Sequence, residues 1–113
     1  MDSRQVAAAI REDVVEDSIR EYRKLFSETS PAEATGAWKG ATLLYAQLDP
    51  VQREAFFAFI RQVAVDTTSH LLAVVDGVTS LTGQDADCVL RCGRKRLEDL
   101  QDYFLELEEE HGQ

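Results

Sequence analysis

"DPVQREAFFAFIRQVAVDTTSHLLAVVDG", Asp49 to Gly77, is the stretch that decides the fold. It opens on a helix-start signal, with Asp49 as N-cap, Pro50 at the first helical position and Gln52 three residues after the cap. It closes on Gly77, suited to the left-handed turn that ends a helix. No proline or glycine interrupts the run between Pro50 and Asp76. The pattern predicts one long helix from Pro50 to Val75. This is the most hydrophobic segment of the chain, so it is expected at the centre of the fold, with Phe56 and Leu71 in the core.

A polar island, Asp66, Thr67, Thr68, Ser69 and His70, sits in its middle. Each helical residue turns the chain by about 100°. On that wheel Ala55, Ala58, Gln62, Asp66, Ser69, Ala73 and Asp76 fall on one narrow face, and Phe56, Ile60 and Leu71 point the other way. The island therefore belongs to a seam of small and polar residues. A second helix can approach such a seam closely, with Gln62, Asp66 and Ser69 hydrogen-bonding across it. Two other readings compete. One is a ligand-binding or hydrolytic pocket around Gln62, Asp66, Ser69 and His70, with Trp38 or Tyr45 as a wall. The other is a homodimer that buries the seam between subunits. A Ser-His-Asp triad is disfavoured, because Ser69 and His70 are consecutive and consecutive residues on a helix do not face each other.

Upstream, Val6, Ile10, Val14, Ile19, Tyr22 and Phe26 keep close to one helical face, which predicts a first helix over Ser3–Phe26. Ser30, Pro31 and Glu33 read as a second capping box. They predict a helix ending near Leu48 that carries Trp38, Leu44, Tyr45 and Leu48. Downstream, Thr79 to Gly93 breaks the helical pattern and reads as a loop or a short two-stranded hairpin around Gly83-Gln84-Asp85. A last helix is expected from Arg94 to Glu110, with Leu97, Leu100, Phe104 and Leu107 as its apolar stripe. Its charges, bases first and acids last, oppose the helix dipole. The expected architecture is mainly α: a four-helix bundle-like single domain over residues 1–113, with a long central helix and a loop or β-hairpin insert before the last helix.

With 12 Lys and Arg against 21 Asp and Glu, the net charge is −9. An acidic surface disfavours nucleic acid and anionic lipid alike. Arg61, Gln62, Asp66 and His70 make membrane insertion of the apolar segment costly, and the first residues lack the pattern of a signal peptide. A cytoplasmic protein is expected. Cys88 and Cys92 are the only cysteines. On a strand they would stand about 13 Å apart, too far for a disulfide or a shared zinc ion. "DGVTSLTGQDAD" lacks the oxygen ligand and the glycine that a calcium loop needs, because Val78 and Leu81 occupy those places. No metal or cofactor is expected.

The stretches Trp38–Gly77 and "LEDLQDYFLELEEE" resemble small bacterial proteins of unknown function. The shared pattern is Val65-Asp66-Thr67 with Ser69, then Asp76-Gly77, then Asp99-Leu100-Gln101-Asp102. The resemblance brings no activity with it. Size and charge also suggest a looser analogy to acidic immunity and antitoxin proteins. The expected function is therefore non-catalytic binding of a basic protein partner, with Glu98, Asp102, Glu106 and Glu109 along one side of the last helix or the edge of the Asp66 seam as the docking surface.

Overall fold

The computed structural model describes Met1–Gly112. It is mainly helical. Helix α1 (Ser3–Ile10), a π-helical segment (Arg11–Glu16) and helix α2 (Asp17–Glu28) run on without a break as one N-terminal rod. Helices α3 (Ala37–Ala46) and α4 (Pro50–Val75) follow, then a hairpin of β1 (Leu90–Cys92) and β2 (Lys95–Leu97), then α5 (Leu100–His111). These make four helical rods with a hairpin before the last, as the patterning predicts.

The long helix begins and ends where its sequence says. The Asp49 carboxylate accepts from the Gln52 amide at 2.8 Å, and the Gln52 side chain accepts from the Asp49 amide at 2.9 Å. At the other end Gly77 adopts φ 77°. The Val78 amide then reaches the Ala73 carbonyl at 2.9 Å and the Gly77 amide reaches Val74 at 3.1 Å, the paired bonds of a Schellman stop.

Four expectations are corrected. First, the N-terminal rod contains a π segment. Val15 is buried there and Val14 is exposed, because the i→i+5 hydrogen bond shifts the helical phase. The step of five from Ile10 to Val15 is its trace in the sequence. Second, Ser30, Pro31 and Glu33 form an isolated turn, closed by a bond from the Glu33 amide to the Ser30 carbonyl at 3.0 Å. Helix α3 starts later, after Gly36 at φ 62°. Third, the hairpin turns at Gly93-Arg94 rather than around Gly83, pairing Leu90 with Leu97 and Cys92 with Lys95. Gly93 is the only turn-centre residue at positive φ, which suits the first position of a II′ turn. Arg94, Lys95 and Arg96 therefore lie in the hairpin, and α5 begins only at Leu100, so the basic half of the expected conflict with its dipole does not arise, while Glu108, Glu109 and Glu110 keep the acidic half at its C-terminal end. Fourth, α4 is a spine rather than a buried core helix. Only Phe57, Val65, Ser69, Leu72 and Ala73 are buried in it. Phe56 is half-buried, and Leu71 is 62% exposed.

That spine joins two apolar clusters. One gathers Val6, Ala7, Val15, Val65, Leu72, Leu97, Leu100, Phe104 and Leu107 from the rod, α4, the hairpin and α5. The expected stripe of Leu97, Leu100, Phe104 and Leu107 is all buried here, although Leu97 arrives on a strand. The other cluster is aromatic. Phe26 meets Trp38, Tyr45, Phe56 and Phe57 with ring centroids 5.1–6.1 Å apart. Two clusters along one helix make the molecule long, 49 × 35 × 22 Å.

Phe104 is fully buried, so Phe104→Ala should cost about 3–5 kcal/mol. Val78→Ala, at an exposed position, should stay within about 0.5 kcal/mol. Urea melts of both variants check the contrast. Equal losses would mean that the first cluster does not carry the fold.

Candidate functional site

The polar island resolves into a joint and an open cleft. In the joint, Asp76 at the end of α4 does the work of an N-cap for α5. Its carboxylate accepts from the backbone amides of Leu100 at 3.1 Å and Gln101 at 2.8 Å. Asp99, the residue in the cap position, makes no such bond and sits in the left-handed region at φ 57°. A carboxylate at this point also favours the positive end of the α5 dipole. About two turns earlier along the seam, Gln101 Nε2 donates to the buried hydroxyl of Ser69 at 3.0 Å. The seam is thus filled from within the chain at its C-terminal half.

Further toward the N-terminus of α4, an open cleft lies between the two helices. The cleft there, about 500 Å³, is lined by Gln62, Val65 and Asp66 of α4 and by Asp102, Leu105, Glu106, Glu108 and Glu109 of α5. Asp66 accepts from Gln62 Nε2 at 2.9 Å and is exposed. Glu106 pairs with Arg4 at 3.2 Å. Among the described residues Asp66, Asp102 and Glu109 have no ion-pair partner. The structure therefore brings Gln62, Asp66, Asp102, Glu106 and Glu109 together. Glu98 is a correction: it precedes α5, pairs loosely with Arg96 at 3.8 Å, and donates its backbone amide to the Ser3 hydroxyl oxygen at 3.0 Å. It stands outside the helical row that its spacing implied.

The hydrolytic reading loses its geometry. Ser69 is buried against Gln101, His70 is exposed, and Asp66 bonds to Gln62. Trp38 is 42% exposed and lines a different concavity, beside Tyr22 at 5.9 Å between ring centroids. Cys88 and Cys92 are free thiols. No group of three or more metal-ligating side chains converges among the described residues, and no described helix is long and apolar enough to cross a membrane.

One wall of the cleft is fixed by ions that the sequence reading missed. Arg61 of α4 donates to Glu16 at 2.5 Å and to both oxygens of Glu108, at 3.1 and 2.8 Å. Arg11 meets the same two carboxylates, at 3.1 and 2.9 Å. The π segment makes this four-way contact feasible, because its bonding pattern brings Arg11 and Glu16, five apart, toward one side. The Arg61 guanidinium holds the Glu16 carboxyl below the usual carboxylate range, against the opposing effect of its burial. Glu108 is thereby neutralised and leaves the open charge of the cleft to its neighbours.

Two further hollows lie elsewhere on the described surface. The one holding Trp38 is an apolar groove of about 510 Å³ between α2 and α4. The other, about 400 Å³, lies by Arg23, Lys24 and Arg53. There Arg23 is paired to both oxygens of Glu54 at 3.1 Å and lies over the Phe57 ring, while Arg53 stacks over Tyr45 at 4.3 Å. Both arginines brace the aromatic cluster.

The ion box is only partly shielded, so Arg61→Ala should cost about 2–3 kcal/mol, between the values for exposed and buried pairs. Because folding lowers the Glu16 pKa, its contribution is full above the ordinary carboxylate value near 4.3 and is lost as pH falls through the folded value. Glu16→Gln should therefore be less stable than the parent at neutral pH, with the gap closing in acid. Denaturant melts across pH check this, and a gap independent of pH would remove Glu16 from the box. Comparison with family models, characterised proteins and solved structures finds no match to this chain.

Proposed function

We propose that the protein is a non-catalytic, cytoplasmic binding module that takes a basic segment of another protein into the cleft between α4 and α5. One observation carries the reading: carboxylates from two helices, Asp66 on one and Asp102, Glu106 and Glu109 on the other, line a single hollow. Like charges gathered this way repel one another, and a cationic segment entering the cleft relieves that repulsion. The net charge of −9 adds long-range attraction for the same partner and speeds encounter at low salt. The scaffold is firm on both sides, since Asp76 anchors the start of α5 and the Arg61 contacts hold Glu108 near its end.

An arginine-rich peptide titrated into the protein by calorimetry tests the reading. Binding should weaken as salt rises, because screening acts over roughly 10 Å at 0.1 M. The double variant Asp66→Asn with Asp102→Asn should bind at least roughly tenfold more weakly, a change of about 1.4 kcal/mol. Unchanged affinity in that variant, or no binding by the parent at low salt, would refute the cleft as a docking surface.

A further inference from the structure

We propose that the apolar groove between α2 and α4 is the contact with a second copy of this chain. The groove lies on another face of α4 from the acidic cleft, and the two assignments stand independently.

The first argument is area. A compact chain of this length has a radius of gyration of about 13 Å, whereas this one has 17.3 Å. A compact monomer of 12.7 kDa exposes roughly 6,200 Å² by the usual mass scaling. This chain exposes 7708 Å², an excess of roughly 1,500 Å². A stable dimer takes roughly 800 Å² from each partner. Part of the excess lies in the connection after α4, where Val78 and Leu81 are exposed. The rest of the exposed apolar surface has a focus. Val14, Tyr22, Trp38, Phe59 and Val63 are all at least one-third exposed and line the same groove. Leu71 extends the stripe along α4. A helix with apolar side chains all the way round is normally covered on every side, and α4 has its apolar residues spread in that way.

The second argument is charge. Two chains at −9 each repel over most of their surfaces. The described residues lining this groove include no charged side chain, although 29% of the chain is charged. Here two copies meet without setting like charges against each other. A groove rich in aromatic residues and free of charge has the composition of an interface core. It offers nothing to the basic partner that the cleft would attract.

The third argument is self-complementarity. Phe59, Val63, Thr67 and Leu71 follow at four-residue steps on one face of α4, symmetric about position 65. A twofold axis at that level sets two α4 helices antiparallel, with Phe59 against the partner's Leu71 and Val63 against the partner's Thr67. This is the isologous form that closes at two copies.

Sedimentation equilibrium of the full chain over a wide concentration series is the test. The parent should show twice the chain mass. Phe59→Glu, which alters a side chain 69% exposed in the single chain, should give the single-chain mass with unchanged helical circular dichroism. Val51→Glu, at an exposed site outside the groove, should remain a dimer. Should Phe59→Glu lose its helical signal, Phe59→Ala takes its place and should weaken the dimer by roughly tenfold or more. A parent that stays single at every concentration overturns the proposal, as does a dimer indifferent to Phe59 or one broken equally by Val51→Glu.

Discussion

The box of two arginines and two glutamates, Arg11, Glu16, Arg61 and Glu108, is the contact on which the rest of the arrangement turns. It joins the N-terminal rod, the spine α4 and the last helix at one point. Apolar packing is non-directional and would tolerate sliding of one helix along another. Guanidinium–carboxylate pairs are directional and fix both partners. Arg11 is 8% exposed, and a cation so well covered is tolerable only because two carboxylates meet it. The π segment follows from the same need. A plain α-helix would turn Glu16 well away from Arg11, since five steps of about 100° leave them on different faces.

With the box fixed, the two ends of the molecule diverge in character. Toward the C-terminal end of α4 the chain closes on itself. Val65 and Leu72 pack on Phe104 and Leu100, and the Ser69, Asp76 and Gln101 joint satisfies the polar groups of the seam. Toward the N-terminal end, α2 and α3 contribute an aromatic cluster that covers only part of α4. The face carrying Phe59 and Val63 is left open. This asymmetry explains why a helix so apolar has so few buried residues, and why its uncovered face suits another molecule.

The polar residues that α4 and α5 turn toward each other have a physical meaning in this chain. Ser69, Asp76, Leu100 and Gln101 meet at the α4–α5 joint, and Asp66 and Asp102 face the cleft beside it. These contacts tie two distant segments together beside the cleft. The carboxylate at position 76 serves a helix cap rather than chemistry.

What the sequence alone determined is what depends on neighbours along the chain. The long helix was legible from Asp49, Pro50, Gln52 and Gly77, because caps act within one turn and do not consult the rest of the fold. The buried set of Leu97, Leu100, Phe104 and Leu107 was legible from periodicity, even where the element holding Leu97 was misread. The capping box at Ser30 misled because a local signal only permits a helix, and the segment closed as a turn before Gly36. The seam on α4 was legible as a seam, but its fate was not. Whether Ser69 faces solvent, a partner or Gln101 depends on a residue 32 positions away. The same holds for the ion box, whose members span 97 positions from Arg11 to Glu108. Only the tertiary structure decided those pairings, because charge and hydrogen-bond partners are chosen by proximity in space, and no pattern within a single helix encodes which distant side chain will arrive.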